Sequence, residues 1–256
     1  MLVAVSAPPT NDCGPQYMEQ AFAAIHQGNP RRLAVSFEFA WRNGNVGLFC
    51  CFPPELRAVV EGQVYAQYPD CKIEPIQENA STPRTPESTW AVELRLRPDI
   101  FPMRRYPQFE DALNRVTADP LTAILTSLAA DRQHSLRCHV QIILRPTSPR
   151  LQARGKKSLR RLARPFFRSH PRLAHVYAVG AMSRAFPVRG AAFLLSFFAA
   201  KVTSSDDALT TSGTRLHDRE EDLQAASDKL GRLLFDARIR ISVSGPKDAA
   251  AFARRK

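Results

Sequence analysis

The sequence predicts an α+β fold: a mixed, largely antiparallel sheet with helices packed on one face, plus a basic and then apolar helical insertion. Three observations predict it. Two alternating apolar runs, RRLAVSFEFAW and NVGLFCCF, flank Asn43-Gly44-Asn45 and read as a hairpin. Strand-like runs alternate with amphipathic helical stretches, and hairpins mixed with helices indicate a sheet covered on one face. Between Arg132 and Ser205 the chain has fifteen Lys and Arg and no Asp or Glu. On this reading residues 1–146 form an α+β domain, 147–203 an insertion, and 204–256 an αβα segment that completes the sheet.

Leu2 to Val5 reads as a short strand. Residues 14–27 read as a helix, with Tyr17, Phe22 and Ile25 apolar and Gly28-Asn29-Pro30 as the stop. In the next run Leu33, Val35, Phe37 and Phe39 alternate with smaller or polar residues, as in a half-buried strand. The Asn43-Gly44-Asn45 spacing is one residue longer than a two-residue hairpin loop, which predicts a bulge.

Pro53-Pro54-Glu55 opens a second helix, because proline in a first turn lacks only an N–H that would be unpaired there. Leu56, Val59, Val60 and Val64 form its apolar stripe. The phrase VEGQVYAQYPD (60–70) ends it, since the residue before Pro69 is pushed out of the helical region. CKIEPI follows as a strand, and ENASTPRTPES as a loop. TWAVELRLRP places Trp90, Val92, Leu94 and Leu96 on one face and Glu93, Arg95 and Arg97 on the other. Residues 98–111 read as an ordered, irregular connection.

Asp119-Pro120 caps a helix through residue 130, with Leu121, Ile124, Leu125 and Leu128 inward. RCHVQIILRP is the next strand. Residues 147–171 are strongly basic, 173–202 mostly apolar, and 203–214 a loop. Asp218 and Glu221 fit a capping box for a helix through Leu230. LFDARIRISVSG is the clearest strand, with Phe235, Ala237, Ile239, Ile241 and Val243 on one face. Pro246 starts a last helix.

The chain of 256 residues is long enough for a sizeable core, and 44% hydrophobic with 23% charged residues is a globular composition. Five cysteines without CxxC or framework spacing fit reduced thiols in a cytoplasm. MLVAVSAPPTND has no positive n-region and too short an apolar run for a signal peptide. The formal charge of +12 is uneven: outside 132–205 there are 21 basic and 24 acidic residues. That asymmetry predicts an anionic partner for one segment, nucleic acid or an acidic membrane surface.

No catalytic constellation is visible, so the protein reads as a non-enzyme without cofactor. Gly155-Lys156-Lys157-Ser158 resembles the end of a phosphate-binding loop, but no glycine lies five residues upstream and no strand precedes it. No apolar strand ends in Asp-Glu to hold magnesium. His134, Cys138 and His139 form H-x3-C-H, but neighbours on a strand point to opposite faces, so Cys138 and His139 do not share a metal. Glu220-Glu221-Asp222 reads as a solvated helix face.

The candidate binding residues are Arg150, Arg154, Lys156, Lys157, Arg160, Arg161, Arg164 and Arg168. A helix over 156–164 would place Lys157, Arg160, Arg161 and Arg164 on one face, with Leu159 and Leu162 more nearly opposite. Such a face neutralises phosphates without reading bases. Outward arginines of three strands (Arg95 and Arg97, Arg145, Arg238 and Arg240) either extend this surface or form the wet face of a sheet. GAAFLLSFFAA (190–200) is too short to span a bilayer. It reads as a helix buried against protein or, with Arg184, Arg189 and Lys201 beside it, as one lying on a membrane surface.

Four phrases together resemble one family: VEGQVYAQYPD, the block YPQFED to DPLTAILTSLA (106–129), VQIILRPTS with its Gly-Lys-Lys stretch (140–157), and DKLGRLLFDARIRI (228–241). In this order they are similar to the N-terminal domain of type IV secretion-like, conjugative DNA-transfer ATPases of the FtsK/HerA superfamily. The resemblance implies an α+β region that precedes a RecA-like motor. This chain stops at AFARRK, so no nucleotide-binding residue of the family has a counterpart here. The function implied is a non-enzymatic accessory or assembly domain, docking to DNA, to a separately encoded motor or to its own copies, in the cytoplasm or at the inner membrane. The alternative is a stand-alone, sequence-independent nucleic-acid-binding protein. No small-molecule substrate is expected.

Overall fold

The hairpin of β2 (Val35–Arg42) and β3 (Asn45–Cys51) lies inside a seven-stranded antiparallel sheet. The computed structural model describes residues 1–11, 13–42, 45–76, 87–94, 99–102, 110–111, 116–117, 126, 137–183, 185–202 and 213–246. The other strands of the sheet are β1 (Leu2–Ser6), β4 (Lys72–Pro75), β5 (Glu87–Leu94), β8 (Arg137–Pro146) and β9 (Phe235–Pro246). They lie in the order β4-β1-β3-β2-β8-β9-β5. Two short strands, β6 (Glu110–Asp111) and β7 (Val116–Thr117), pair separately. The class is α+β, as the mixture of hairpins and helices predicts, and the sheet is open, with β4 and β5 at its edges.

Alternation along β2 divides the sheet into two chemically different faces. Val35 and Phe37 point to one face and meet Val3 and Cys50, which sit across the register from them or their neighbours. Helix α1 (Pro15–Gln27) and helix α2 (Arg57–Gln67) cover this apolar face. Ile25 from α1 joins Val60 from α2 and Leu56 in the same buried cluster, so the predicted stripe is the one that packs. Phe22 meets Phe37 edge-on at 5.1 Å and also contacts Phe235, so α1 lies across both β2 and the start of β9.

The ends of these helices follow their sequences. Gly28 closes α1 by donating its N–H to the Ala24 carbonyl at 2.8 Å. Buried Asn29 then binds both backbone groups of Leu33, donating at 2.8 Å and accepting at 2.9 Å. That clamp holds a tight loop in which Arg32 takes a left-handed φ of 54°. VEGQVYAQYPD does end α2. Tyr68 closes it on Val64, its hydroxyl donates to the Gly14 carbonyl at 3.4 Å, and its ring contacts Tyr17. The phrase therefore ties α2 to the start of α1.

Three local expectations differ. The β2–β3 register runs unbroken from Ser36↔Cys51 to Arg42↔Asn45, so the pairing closes on two residues and contains no bulge. Asn45 is the first residue of β3, as the run NVGLFCCF implies. Pro246 does not open a helix but ends β9 opposite Glu87. Proline at a strand's last position forfeits only a terminal ladder bond. Asp218 and Glu221 lie inside a helix that already starts at Gly213, because residues 214–217 contain no breaker. The turn at 43–44, the loop at 77–86, Arg95, Leu96, Arg97 and most of the 98–111 connection lie outside the described residues. So do the helix at 119–130 apart from Thr126, His134, residues 203–212 and the last helix.

The chain forms two compact units. The first holds residues 1–95, 104–146 and 235–256, and so the sheet. The second holds 96–103 and 147–234, so the helix at Gly213–Gly231 lies in the unit of the insertion, while the strand after it lies in the sheet. The second unit is built of α3 (Pro149–Leu162), α4 (Pro165–Ser169), α5 (Pro171–Ala181), α6 (Phe186–Val202) and α7 (Gly213–Gly231). Its core is Ile100, Leu162, Phe167, Tyr177, Leu230, the alanines Ala174, Ala178 and Ala181 of α5 and Ala192 of α6. The Lys229 ammonium donates to the carbonyls of Asp99 and Phe101, which fastens the 99–101 segment to α7.

Candidate nucleic-acid interface

Helix α3 carries the basic stretch, and its start is written in Thr147-Ser148-Pro149. The Ser148 hydroxyl accepts the Leu151 N–H at 3.3 Å, and Pro149 occupies the first turn. Gly155, Ser158 and Leu162 are buried, and Leu151 and Leu159 half-buried, so one face belongs to the core. Gln152 secures that face by donating its amide to the Leu230 carbonyl at 2.7 Å and the Arg232 carbonyl at 3.1 Å, at the end of α7.

Gly155 is a packing residue. A Cβ at that position would lie 2.6 Å from a methyl of buried Leu230, so α3 and α7 approach closely only because residue 155 has no side chain. Nothing about it concerns phosphate. Gly155→Val is expected to destabilise the protein by about 2 kcal/mol through overpacking. Gly62→Ala in α2, where a Cβ meets open space, is expected to stabilise by about 0.5–1 kcal/mol through helix propensity. Urea unfolding of both variants checks the contrast. An equal effect at the two sites would remove the packing role of Gly155.

With one face buried, the others present charge. Arg150, Arg154, Lys156, Lys157 and Arg160 are all exposed. Among the described residues, none of the five has an ion-pair partner. From Arg150 to Arg160 the face is about 15 Å long at about 1.5 Å per residue. The other three candidates are placed differently. Arg161 is half-buried and lays its guanidinium over the Phe193 ring at 5.1 Å. Arg164 is exposed but stands beyond the end of α3, at φ −67° and ψ 150°, because Pro165 forces the residue before it into an extended conformation. Arg168 lies within α4. The shared face of Lys157, Arg160, Arg161 and Arg164 is therefore not formed, while Leu159 and Leu162 do lie opposite the charge.

The sheet arginines have mixed surroundings. Arg145, Arg238 and Arg240 are exposed. In the register Arg145 stands opposite Asp236, and Arg240 opposite Glu93 and Gln141. This face of the sheet is not uniformly basic, unlike the outer side of α3.

The same sheet face holds a polar cluster that only the strand register reveals. Glu38 is 4% exposed and accepts from the Ser36 hydroxyl at 2.7 Å and the Gln141 amide at 2.7 Å. It also lies 2.9 Å from His139 Nε2, which must donate because an ionised carboxylate only accepts. Burial pushes the Glu38 carboxyl up. The hydrogen bonds from His139, Ser36 and Gln141, with the attraction of the His139 ring, outweigh burial and hold it down at about 2. The cluster is that of a buried structural carboxylate whose hydrogen bonds are satisfied within the sheet. The sequence signal for it was weak: Glu38 interrupts an apolar strand, but its partners lie about a hundred residues away.

Other chemistries find little support in the described residues. Burial, with a further contribution from Cys51 and Glu38, pushes the Cys50 thiol up to about 12, which leaves it protonated and unreactive at neutral pH. Among the described residues no group of three or more His, Cys, Asp or Glu is arranged to hold a metal. Cys138 and His139 fall on opposite faces of β8. No protein-family model, curated protein or solved structure matches the chain.

Proposed function

We propose that this is a non-enzymatic binding protein of the cytoplasm that engages the phosphate backbone of nucleic acid through the outer side of α3. The observation that carries this reading is the set of five exposed cations on one rigid helix within an acid-free segment. Their span of about 15 Å is enough to reach phosphates on both sides of a groove about 12 Å wide. The sequence of α3 carries no base-reading motif, and its exposed cations suit contact with the phosphate backbone. Binding is therefore independent of sequence. An accessory role beside a DNA-transfer motor would give this face the same partner. That role rests on the resemblance of the four phrases alone, and no observation of the structure favours it.

The test is binding of the full chain to a fluorescent duplex and single strand across a salt series. Five phosphate contacts give a slope of log K against log salt of about −4.5 on duplex, or about 500-fold weaker binding between ~50 and ~200 mM. Each single alanine substitution at Arg150, Arg154, Lys156, Lys157 or Arg160 should reduce the slope by about 0.9. No binding at low salt would reject the reading.

A further inference from the structure

We propose that α6 is a membrane-docking helix that lies in the interfacial plane of an anionic bilayer, with Arg161 and Arg189 placed for lipid phosphates. The starting point is the surface of α6. Its inner side is small and tightly packed: Ala192 and Ser196 are buried, and the Ala192 methyl would lie 2.9 Å from a Cβ at Gly180 of α5. Ser196 satisfies its buried hydroxyl within the helix by donating to the Phe193 carbonyl at 2.7 Å. The core of the unit therefore takes Ala192 and Ser196, with Leu195 packed against it, and leaves Phe186, Phe193, Leu194 and Phe197 outside.

These large residues form a continuous outer face. Phe186, Gly190, Phe193 and Phe197 follow one another at helical spacing, with Pro187, Ala191 and Leu194 alongside. Phe186 is 77% exposed, Phe193 53%, Leu194 57% and Phe197 58%. No charged or polar residue interrupts this stripe between Phe186 and Phe197. A soluble surface rarely shows aromatic residues in such a row, and a helix apolar on all sides is ordinarily buried.

The charges around the stripe identify what covers it. The Arg161 guanidinium sits over the Phe193 ring at 5.1 Å, and that of Arg189 over Phe186 at 5.8 Å. Each cation therefore borders the apolar face without breaking it, its guanidinium stacked on a ring of the stripe with N–H groups at its edge left to meet lipid phosphates. The segment from Arg132 to Ser205 contains no acidic residue that would repel an anionic surface. The stripe from Phe186 to Phe197 is about 17 Å long, against about 30 Å for a bilayer core, and no helix among the described residues is long and apolar enough to cross a membrane. Apolar depth without length, flanked by cations, is the pattern of a helix lying in the interface.

The test is flotation of the full chain with vesicles of phosphatidylcholine, alone or with a minority of phosphatidylglycerol. Binding is expected to be about tenfold or more stronger on the anionic vesicles. Phe193→Ser/Phe197→Ser should lower it by about tenfold, with the far-UV circular dichroism and the nucleic-acid salt slope unchanged. A second variant, Phe197→Trp, preserves the apolar face and should gain emission that brominated lipid quenches, above the background of the parent. Any of three results with lipid would overturn the proposal: no flotation with anionic vesicles at low salt, flotation that the serine pair leaves unchanged, or no lipid quenching of Phe197→Trp. If the serine pair instead converts a dimer to a monomer in lipid-free sedimentation, a second copy covers the face, and the proposal fails.

Discussion

A chain carrying glutamate at Arg154, Lys156, Lys157 and Arg160 is expected to bind duplex DNA at least about a thousandfold more weakly than the parent at low salt. The size follows from the number of contacts. Four favourable cation–phosphate contacts vanish, and four like-charge contacts replace them on a helix that has no freedom to turn away. Gln152 and the Leu230 contact at Gly155 hold its inner face against α7. The salt slope should collapse toward zero together with the affinity, because both count the released counterions. All four residues are exposed, so the unfolding free energy should stay within about 0.5 kcal/mol of the parent. Retained binding with the parent's slope would remove α3 as the nucleic-acid surface. Loss of binding with loss of fold would show up in the urea midpoint, and lysine-to-alanine singles would then carry the test.

Glu38→Ala is expected to destabilise the protein by about 3 kcal/mol, since it leaves the Ser36 hydroxyl, the Gln141 amide and His139 Nε2–H with no carboxylate to accept them. The same cluster sets an acid limit. The Glu38 carboxyl is held at about 2, against 4.5 for a free glutamate. A group whose folded value is depressed contributes its stability in full above the unfolded value and loses it as pH falls through the folded one. The parent should therefore lose about 3 kcal/mol between about pH 5 and about pH 2 from this residue. Glu38→Gln lacks the titrating carboxyl, so its stability should be flatter over that window even if lower at neutral pH. Urea unfolding at a series of pH values measures both. Parallel pH profiles for parent and glutamine variant would show that Glu38 does not carry the acid sensitivity.

The sheet was legible because its residues repeat with a period of two. Val35 and Phe37 on β2, and the alternating Phe235, Ala237, Ile239, Ile241 and Val243 on β9, announce an apolar face regardless of which strands flank them. The first two helices were legible for the same kind of reason: Leu56, Val60 and Val64 fall on one helical stripe, and Gly28 and Pro69 punctuate the ends. The basic character of 132–205 is a property of composition, so it too was open to reading, as was the inward placement of Leu159 and Leu162. The missed details were those where a local preference is overridden, by a partner elsewhere or by the residues just before it. Pro246 suits a helix start, yet the register with Glu87 draws it into β9. Asp218 and Glu221 suit a cap, but nothing before them stops the helix from starting at Gly213.

What the sequence by itself determined is the α+β class, the apolar face of the sheet and the presence of a cationic segment, because each follows from periodicity or from charge. What only the tertiary structure decided is how that segment is divided. Packing of Gly155 against Leu230 orients α3, so five of its cations face solvent. The ring of Phe193 takes Arg161 out of that set, and Pro165 puts Arg164 beyond the helix. The choice of small residues at the contact of α5 and α6 left Phe186, Phe193 and Phe197 outside. The partners of Glu38 likewise emerge only when β2 pairs with β8. Apart from Pro165, which acts on the residue before it, the deciding neighbour is distant in the chain, and a periodic pattern specifies which side of an element is apolar without specifying what will meet it.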